Sequence, residues 1–412
     1  MKTFPPKIKN CTLLFLVLTS LSFVYSTAQS KNDSKLIIST KPFRDGVNHW
    51  YNISDNTNVI NPVLDQPKYD DSEYIKIADN IIYFQRDNGG WPKNYDMSAI
   101  LTLTQIDSIV KTKSLLGGTT FDNATTYTHT YYLAQVYTAT KNEKYKNACL
   151  KGFDFILEAQ YPNGGWPQYF PLEEGYPLEE AYKRHITFND GAYIGVMNLL
   201  QKIIDNDPNL TFVDSNRRKK LTKAYEKGID CILKTQIENK GKLTAWCQQH
   251  NEVTLLPAWA RSFEPPSICN SESADIVLFL MDIDNPDKKI IKSIQSAVKW
   301  FADSKIYNTR LETFSAPEID SRYKYDNVSI DRRVVTDPAA PPIWTRYYEL
   351  VTEKPLFSDR NSKYLYSLAE VSRERRTGYV WYTYNPEKVL EKYFEWQKKW
   401  APTADVLKPS SN

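Results

Sequence analysis

The sequence predicts an all-α fold, an α/α toroid of three helical hairpins with long loops and minor β structure. Three observations carry that prediction. A glutamine closes a helical pattern at Gln85, Gln160 and Gln236, at intervals of 75 and 76 residues, and so regular an interval marks a repeat. The first two glutamines are followed by a Gly-Gly-Trp-Pro turn, NGGWPKNY at 88–95 and NGGWPQYF at 163–170. Between the turns lie further helical patterns whose starts are rich in Asn, Asp and Ser, residues whose side-chain oxygens accept from the free N–H groups of a helix N-terminus.

Along the chain, Lys2, Lys7 and Lys9 precede an apolar run over residues 11–25 that ends in Ser26-Thr27-Ala28. This is the pattern of a secretory signal peptide, residues 1–28, and the run falls short of the ~20 residues that cross a bilayer. The expected location is therefore secreted or periplasmic. Signal removal takes three of the 52 basic residues and none of the 49 acidic ones, leaving a neutral mature chain. Global basicity for nucleic acid is absent, and no later stretch is apolar enough to span a membrane. Residues 29–64 read as a polar lead-in docked through Trp50 and Tyr51, residues 65–400 as the toroidal domain of an expected monomer, and residues 401–412 as a disordered tail. Cys149, Cys231, Cys247 and Cys269 are too few and too widely spaced for a disulfide framework. Cys247 and His250 have zinc-like spacing but no second pair nearby.

The helix before the first turn carries Ile75, Ala78, Ile82 and Phe84 at helical spacing, and the second carries Leu150, Phe153, Ile156 and Leu157. A repeat of this length holds two helices of ~15–20 residues with their connections, so each unit is a helical hairpin. The partner helices are expected to start at Asp122 or Asn123, at Asn189 or Asp190, and at Ser271. In a toroid these starts, with Glu272, gather at one mouth. Each residue alone reads as a simple cap, but FDNA and FNDG both place two acceptors in succession, more than capping requires. An oxygen-rich set in a chain with four histidines suits Ca²⁺ over a transition metal. In the turns, Trp91 reads as a core plug and Trp166 as either a plug or a platform for a sugar ring.

The C-terminal third supplies Arg346, Arg360 and Arg375, spaced by 14 and 15 residues amid aromatics. Arg333, Arg373 and Arg376 add to them, and Asp359, Glu370 and Glu374 offset part of the charge. Guanidiniums interleaved with rings suit a groove that stacks sugars and pairs carboxylates. For an exported, neutral chain the fitting polyanion is an acidic polysaccharide. The glutamine–tryptophan repeat also resembles that of triterpene cyclases, but their acidic cluster is matched only by DIDN at 282–285.

RDNGGWPKN, TTFDNATT, QYPNGGWPQYFPL, HITFND, WCQQHNEVTLLPAWARSFEPPS and FSDR together resemble the pectate lyases of polysaccharide lyase family 10, from about residue 75 to residue 400. The resemblance implies an (α/α)₃ toroid, Ca²⁺, and cleavage of α-1,4-linked polygalacturonate by β-elimination. Carried over by position, it implies Asp122, Asn123 and Asp190 as metal ligands, Arg360 as the base, and Arg261, Arg346 and Arg375 as substrate-binding residues; Trp166 joins the substrate-binding candidates through the platform reading of its turn, not through the resemblance. The chain departs from the family pattern at Ala124, where a glycine is usual, and Tyr127 and Trp259 are bulky. Two rivals remain open: a uronyl hydrolase using Asp122 and Asp190 as paired carboxylates, and a non-catalytic pectin-binding protein in which Arg360 only clamps.

Overall fold

Helices follow one another in pairs through most of the chain, which a computed structural model describes over residues 36–52, 58–172, 178–318 and 329–408. The expected signal peptide lies outside these residues. Helices α1 (Arg44–Asn52), α2 (Tyr74–Phe84) and α3 (Leu103–Val110) lead into three pairs: α4 (Tyr127–Thr140) with α5 (Glu143–Ala159), α6 (Ala192–Ile204) with α7 (Ser215–Thr235), and α8 (Asn270–Met281) with α9 (Lys288–Asp303). A short α10 (Arg373–Gly378) and then α11 (Asn385–Trp400), which packs on α8 and α9, complete the set. The helical class predicted from sequence holds. Within the compact unit that begins at Ile37, α4, α6 and α8 touch in succession, as do α5, α7 and α9.

Burial separates the two layers. Nine of the 12 residues of α8 and eight of the 13 of α6 are buried, whereas α7 buries seven of 21, a stripe from Leu221 through Ala224, Gly228 and Ile232 to Thr235. A helix with one buried stripe faces water, and one buried nearly all round lies inside. In α2 the buried face is Ile77, Ala78, Ile81 and Phe84; Ile75, expected inward, is exposed.

The outer helices are the capped ones. Asn142, Asp214 and Asp287 accept backbone N–H bonds at the starts of α5, α7 and α9. None of α4, α6 and α8 has a side-chain cap. Asp122, Asn123, Asn189 and Asp190 are thus not caps: α4 starts later, at Tyr127, and α6 at Ala192. The chain enters these helices through residues of positive φ, Asn123 (50°), Ala124 (57°) and Thr126 (62°) before α4 and Asp190 (50°) and Gly191 (67°) before α6.

Each glutamine of the repeat donates twice from Nε2. Gln85 reaches Gly89 O and Ala148 O, Gln160 reaches Gly164 O and Ala224 O, and Gln236 reaches Thr244 O and Ser293 O, all at 2.8–3.0 Å. One bond closes the glutamine's own turn and the other grips the next outer helix. The tryptophan of each turn is a plug, its indole N–H donating to Ile81 O from Trp91, Ile156 O from Trp166 and Ile232 O from Trp246. Trp344 adds a fourth such plug through Phe301 O. Gly89 and Gly164 have φ of 89° and 96°, and a Cβ there would overlap the carbonyl oxygen of Lys151 or Lys227. Only glycine fits.

Strand structure is minor, as expected. Among the described residues the sheet with the most strands is antiparallel, in the order Tyr364–Leu365, Pro355–Ser358, Tyr347–Tyr348, Ile268–Cys269. A small second core of Tyr347, Leu356, Phe357, Leu368, Val371 and Trp381 backs it. In the described part of the lead-in, Trp50 is buried and donates to Ile60 O, and Tyr51 bonds Asp96. Of residues 401–408, Ala401 is buried, Val406 packs against the core and Ala404 O accepts from Gln295, while residues 402–404, 407 and 408 are exposed.

Candidate active site

Three backbone bonds set the depth of the mouth. The carbonyl of Trp91 accepts from Thr120 N–H, that of Trp166 from Thr187 and that of Trp246 from Cys269, at 3.0, 3.2 and 2.7 Å. Two and three residues beyond each pinned position stand Asp122 and Asn123, Asn189 and Asp190, and Ser271 and Glu272. The plug turns therefore place the acceptor pairs of successive hairpins in register. Asp122, Asn123, Asn189 and Asp190 line one cavity of about 140 Å³, so the structure brings the expected carboxylates together.

Lys93 and Gln168 join that cavity from the turns. Both follow the proline of a Gly-Gly-Trp-Pro turn, an equivalence legible in the repeat that sequence reasoning passed over. Lys93 Nζ donates to Asp122 Oδ2. Burial pushes the Asp122 carboxyl up, but the Lys93 ammonium outweighs it and leaves the group below the usual carboxylate range. Asp190 goes the other way. Although part of its surface meets solvent, crowding by protein and then the Asp122 charge raise it to about 7, partly offset by Arg346 and Arg261.

The four expected arginines each hold a carboxylate. Arg261 Nε and Nη2 donate to Glu264 at 2.9 and 2.6 Å, Arg346 to Glu272 at 2.5 Å, and Arg360 to both oxygens of Glu374 at 2.9 and 2.7 Å. Arg375 shares Glu374 with Arg360. Glu264 accepts also from Tyr379 O–H at 2.8 Å, and although burial pushes it up, Arg261 takes it down to about 2. Phe263 ties the group: the guanidiniums of Arg261, Arg375 and Arg360 lie 4.8, 4.8 and 5.5 Å from its ring centroid, within cation–π range. Neither Phe263 nor Glu264 was singled out from sequence, though the spacing Arg-x-x-Glu was there to read.

The arginines differ in their access to the mouth. Arg261 lines the cavity with the acceptors, and its charge acts on both Asp122 and Asp190. Arg346 acts on Asp190. Arg360, expected as the base, is linked to the mouth through Phe263, its side chain 31% accessible. Arg375, expected on the substrate, is only 5% accessible and holds Glu374. Trp166 corrects the platform reading: it is 1% exposed with its N–H spent on Ile156 O, so no ring face is free for a sugar. The accessible aromatic pair is Trp259 with Tyr364, ring centroids 5.9 Å apart. The four described cysteines are free thiols, and the Cys247–His250 pair is a backbone contact in which Cys247 N–H donates to His250 Nε2.

The oxygen donors of the mouth have the chemistry a hard cation selects. Asp122 Oδ1 and Asn189 Oδ1 are buried without a donor at hydrogen-bond distance among the described residues, Gln168 standing nearby. These oxygens, with Asn123 and Asp190, fit a Ca²⁺ ion that takes further oxygens from substrate or water. Among the described residues no three His, Cys, Asp or Glu side chains stand at metal-ligand spacing.

The chain matches the family model described as pectic acid lyase over residues 85–390. It is similar to the solved structure of a family 10 polysaccharide lyase from Cellvibrio cellulosa, with 30% identity, a TM-score of 0.63, and coverage of 77% of this chain and 91% of that one. A mutant of that family 10 lyase, solved in complex with trigalacturonic acid, is similar at 29% identity and a TM-score of 0.63, covering 79% and 92% of the two chains. No curated protein matches the chain.

Proposed function

The chain belongs to the pectic acid lyase family and is a polysaccharide lyase of the pectate lyase type, and from that premise we propose calcium-dependent β-elimination of α-1,4-linked polygalacturonate in the cavity between Asp122 and Asp190. We read the arc of paired helices as the incomplete (α/α)₃ toroid expected from sequence. The observation that carries the proposal is the meeting, in one cavity, of oxygen donors from two successive hairpins with the Arg261 guanidinium. The Cellvibrio complex with trigalacturonic acid supports the substrate class.

Elimination removes the C5 proton beside a uronate carboxylate and expels the C4 oxygen, giving a 4,5-unsaturated end. The obstacle is the second negative charge that builds on the carboxylate as the proton leaves. Asp122, Asn123, Asn189 and Asp190 would hold Ca²⁺, which when bound supplies Lewis-acid dispersal of that charge. Lys93 neutralises one carboxylate of the set, keeping the empty mouth from excess negative charge. Arg346 and Arg360 offer charge-assisted hydrogen bonds to flanking uronates.

Proton abstraction falls to a guanidinium. The resemblance pointed to Arg360, but the position beside the carboxylates is that of Arg261, so we assign the step to Arg261 and carboxylate recognition to Arg360. Glu264 occupies Arg261 Nε and Nη2, which leaves Nη1 for substrate. Desolvation by the surrounding protein works to lower the guanidinium's pKa even though the side chain is half accessible, but Glu264 outweighs it and holds Arg261 above its ordinary value. A neutral base is then scarce at pH 7 and becomes commoner in alkali, so the rate is expected to climb into the alkaline range.

The test is to follow ultraviolet absorbance of the unsaturated product from polygalacturonate, with and without EDTA. The expected result is a signal that chelation abolishes and added calcium restores. Comparison of Arg261→Lys with Arg360→Lys then separates the roles. Loss of turnover with trigalacturonate binding kept is expected for R261K and a raised KM for R360K; the opposite pattern returns the base to Arg360.

A further inference from the structure

One wall of the cavity comes from outside the matched family span. Helix α1 belongs to the N-terminal lead-in, ahead of residue 85 where the family match begins, yet His49 lines the same cavity as Lys93, Asp122 and Arg261. Asp45, one turn earlier and on the same helix face, is close enough to feel the charges of Asp122 and Lys93.

The helix is fixed in place by buried contacts. Phe43 packs edge-on against His129 and Tyr132, and Trp50 is sealed with its N–H on Ile60 O. Gly46 is buried against the loop that carries the acceptors: a Cβ there would lie 3.6 Å from Asn94 N and 3.7 Å from Asn123 O. Asn94 and Asn123 are themselves bonded, Nδ2 of Asn123 to Oδ1 of Asn94 at 2.8 Å. A lead-in serving only to tether the chain needs Phe43, Gly46 and Trp50. It does not need a polar face turned into the mouth.

We propose that α1 forms a wall of the substrate groove and that His49 contacts the galacturonate unit bound beside Asp122 and Lys93, its imidazole hydrogen-bonding a sugar or carboxylate oxygen. The proposal rests on the polygalacturonate reading above. An imidazole offers a donor at neutral pH from a short, stiff side chain, well suited to fixing a ring's orientation. The lead-in is then a specificity element of the active site.

The experiment uses the full chain with His49→Ala, His49→Gln and, as control, Asn48→Ala on the exposed side of α1. Trigalacturonate affinity is measured by calorimetry, KM and kcat by product absorbance, and folding by thermal melt. Loss of one substrate hydrogen bond predicts a KM and Kd for H49A raised about three- to tenfold with kcat little changed, partial recovery in H49Q, and N48A like wild type. Affinities of H49A and H49Q equal to wild type overturn the proposal. Should H49A melt early, H49Q decides alone: a folded H49Q with Kd and KM raised above those of N48A supports the contact, and a folded H49Q with wild-type Kd and KM overturns it. A wild-type protein that binds trigalacturonate without forming unsaturated product would instead sink the lyase reading, leaving the binding comparison to judge His49.

Discussion

Ala124 is the residue at which the departure expected from the family pattern has a physical counterpart. Its φ of 57° falls between the left-handed Asn123 and Thr126, in the region where a Cβ meets the following carbonyl at a cost of about 1–2 kcal/mol. Glycine removes that clash and loses about 0.5–1 kcal/mol of it again in chain entropy. Ala124→Gly is therefore expected to stabilise the protein by about 0.5 kcal/mol, seen as a small rise in melting temperature, whereas Ala124→Val should lower it clearly because a β-branched residue tolerates positive φ worst. The strain survives because Thr120 and the Trp91 carbonyl hold one end of the loop and α4 the other. What it achieves is to turn Asp122 and Asn123 away from the helix end and toward the cavity. The same residue types cap the outer helices, and this is why their role could not be read from sequence alone: Asn142 and Asp214 cap, while Asn123 and Asp190 do not.

At the scale of elements, the repeat was legible and its faces were not. The interval between Gln85, Gln160 and Gln236 gave the hairpins because each glutamine ends one outer helix and grips the next. Trp166 could be read as plug or platform because a sequence does not say which side of a turn its ring takes. Arg261 with Glu264 is a local pair and could have been found; Arg346 with Glu272 spans 74 residues and could not. The sheet beneath the arginines is built of strands of two to four residues, too short for a period-two pattern to register. The plug assignment makes two predictions. Trp166→Phe removes one buried bond to Ile156 O and should cost about 1–3 kcal/mol while KM on polygalacturonate stays unchanged; a large rise in KM without loss of stability would restore the platform reading. Gln160→Ala removes the bonds to Gly164 O and Ala224 O, leaving Gly164 O its bond from Tyr193 O–H, and should destabilise by a similar amount, read by chemical denaturation.

Taken as a whole, the molecule brings like charges together and balances them by neighbours drawn from distant segments. Asp190, although partly open to solvent, is lifted to about 7 by the protein crowded around it and by the Asp122 charge. Because its folded pKa lies above that of a free carboxyl, the fold binds this proton more tightly than the unfolded chain does. The associated stability is present in acid and is lost as pH rises from about 4, the free carboxyl value, through about 7. A cation at this site needs the deprotonated carboxylate and displaces the proton. Calcium should therefore stabilise the fold weakly at pH 5, where the proton competes, and fully at pH 8, where it recovers what the ionised mouth has lost. At a free concentration a hundred times the dissociation constant, binding alone contributes about 2.7 kcal/mol. Scanning calorimetry at fixed free calcium should accordingly show a rise in melting temperature that is larger at pH 8 than at pH 5. In Asp190→Asn, whose amide does not titrate, the apo protein should lose its stability decline between those pH values, and the calcium-induced rise should shrink and become nearly independent of pH. Equal calcium shifts at both pH values in the wild type would place the ion away from Asp190, and with it the proposed dispersal of charge.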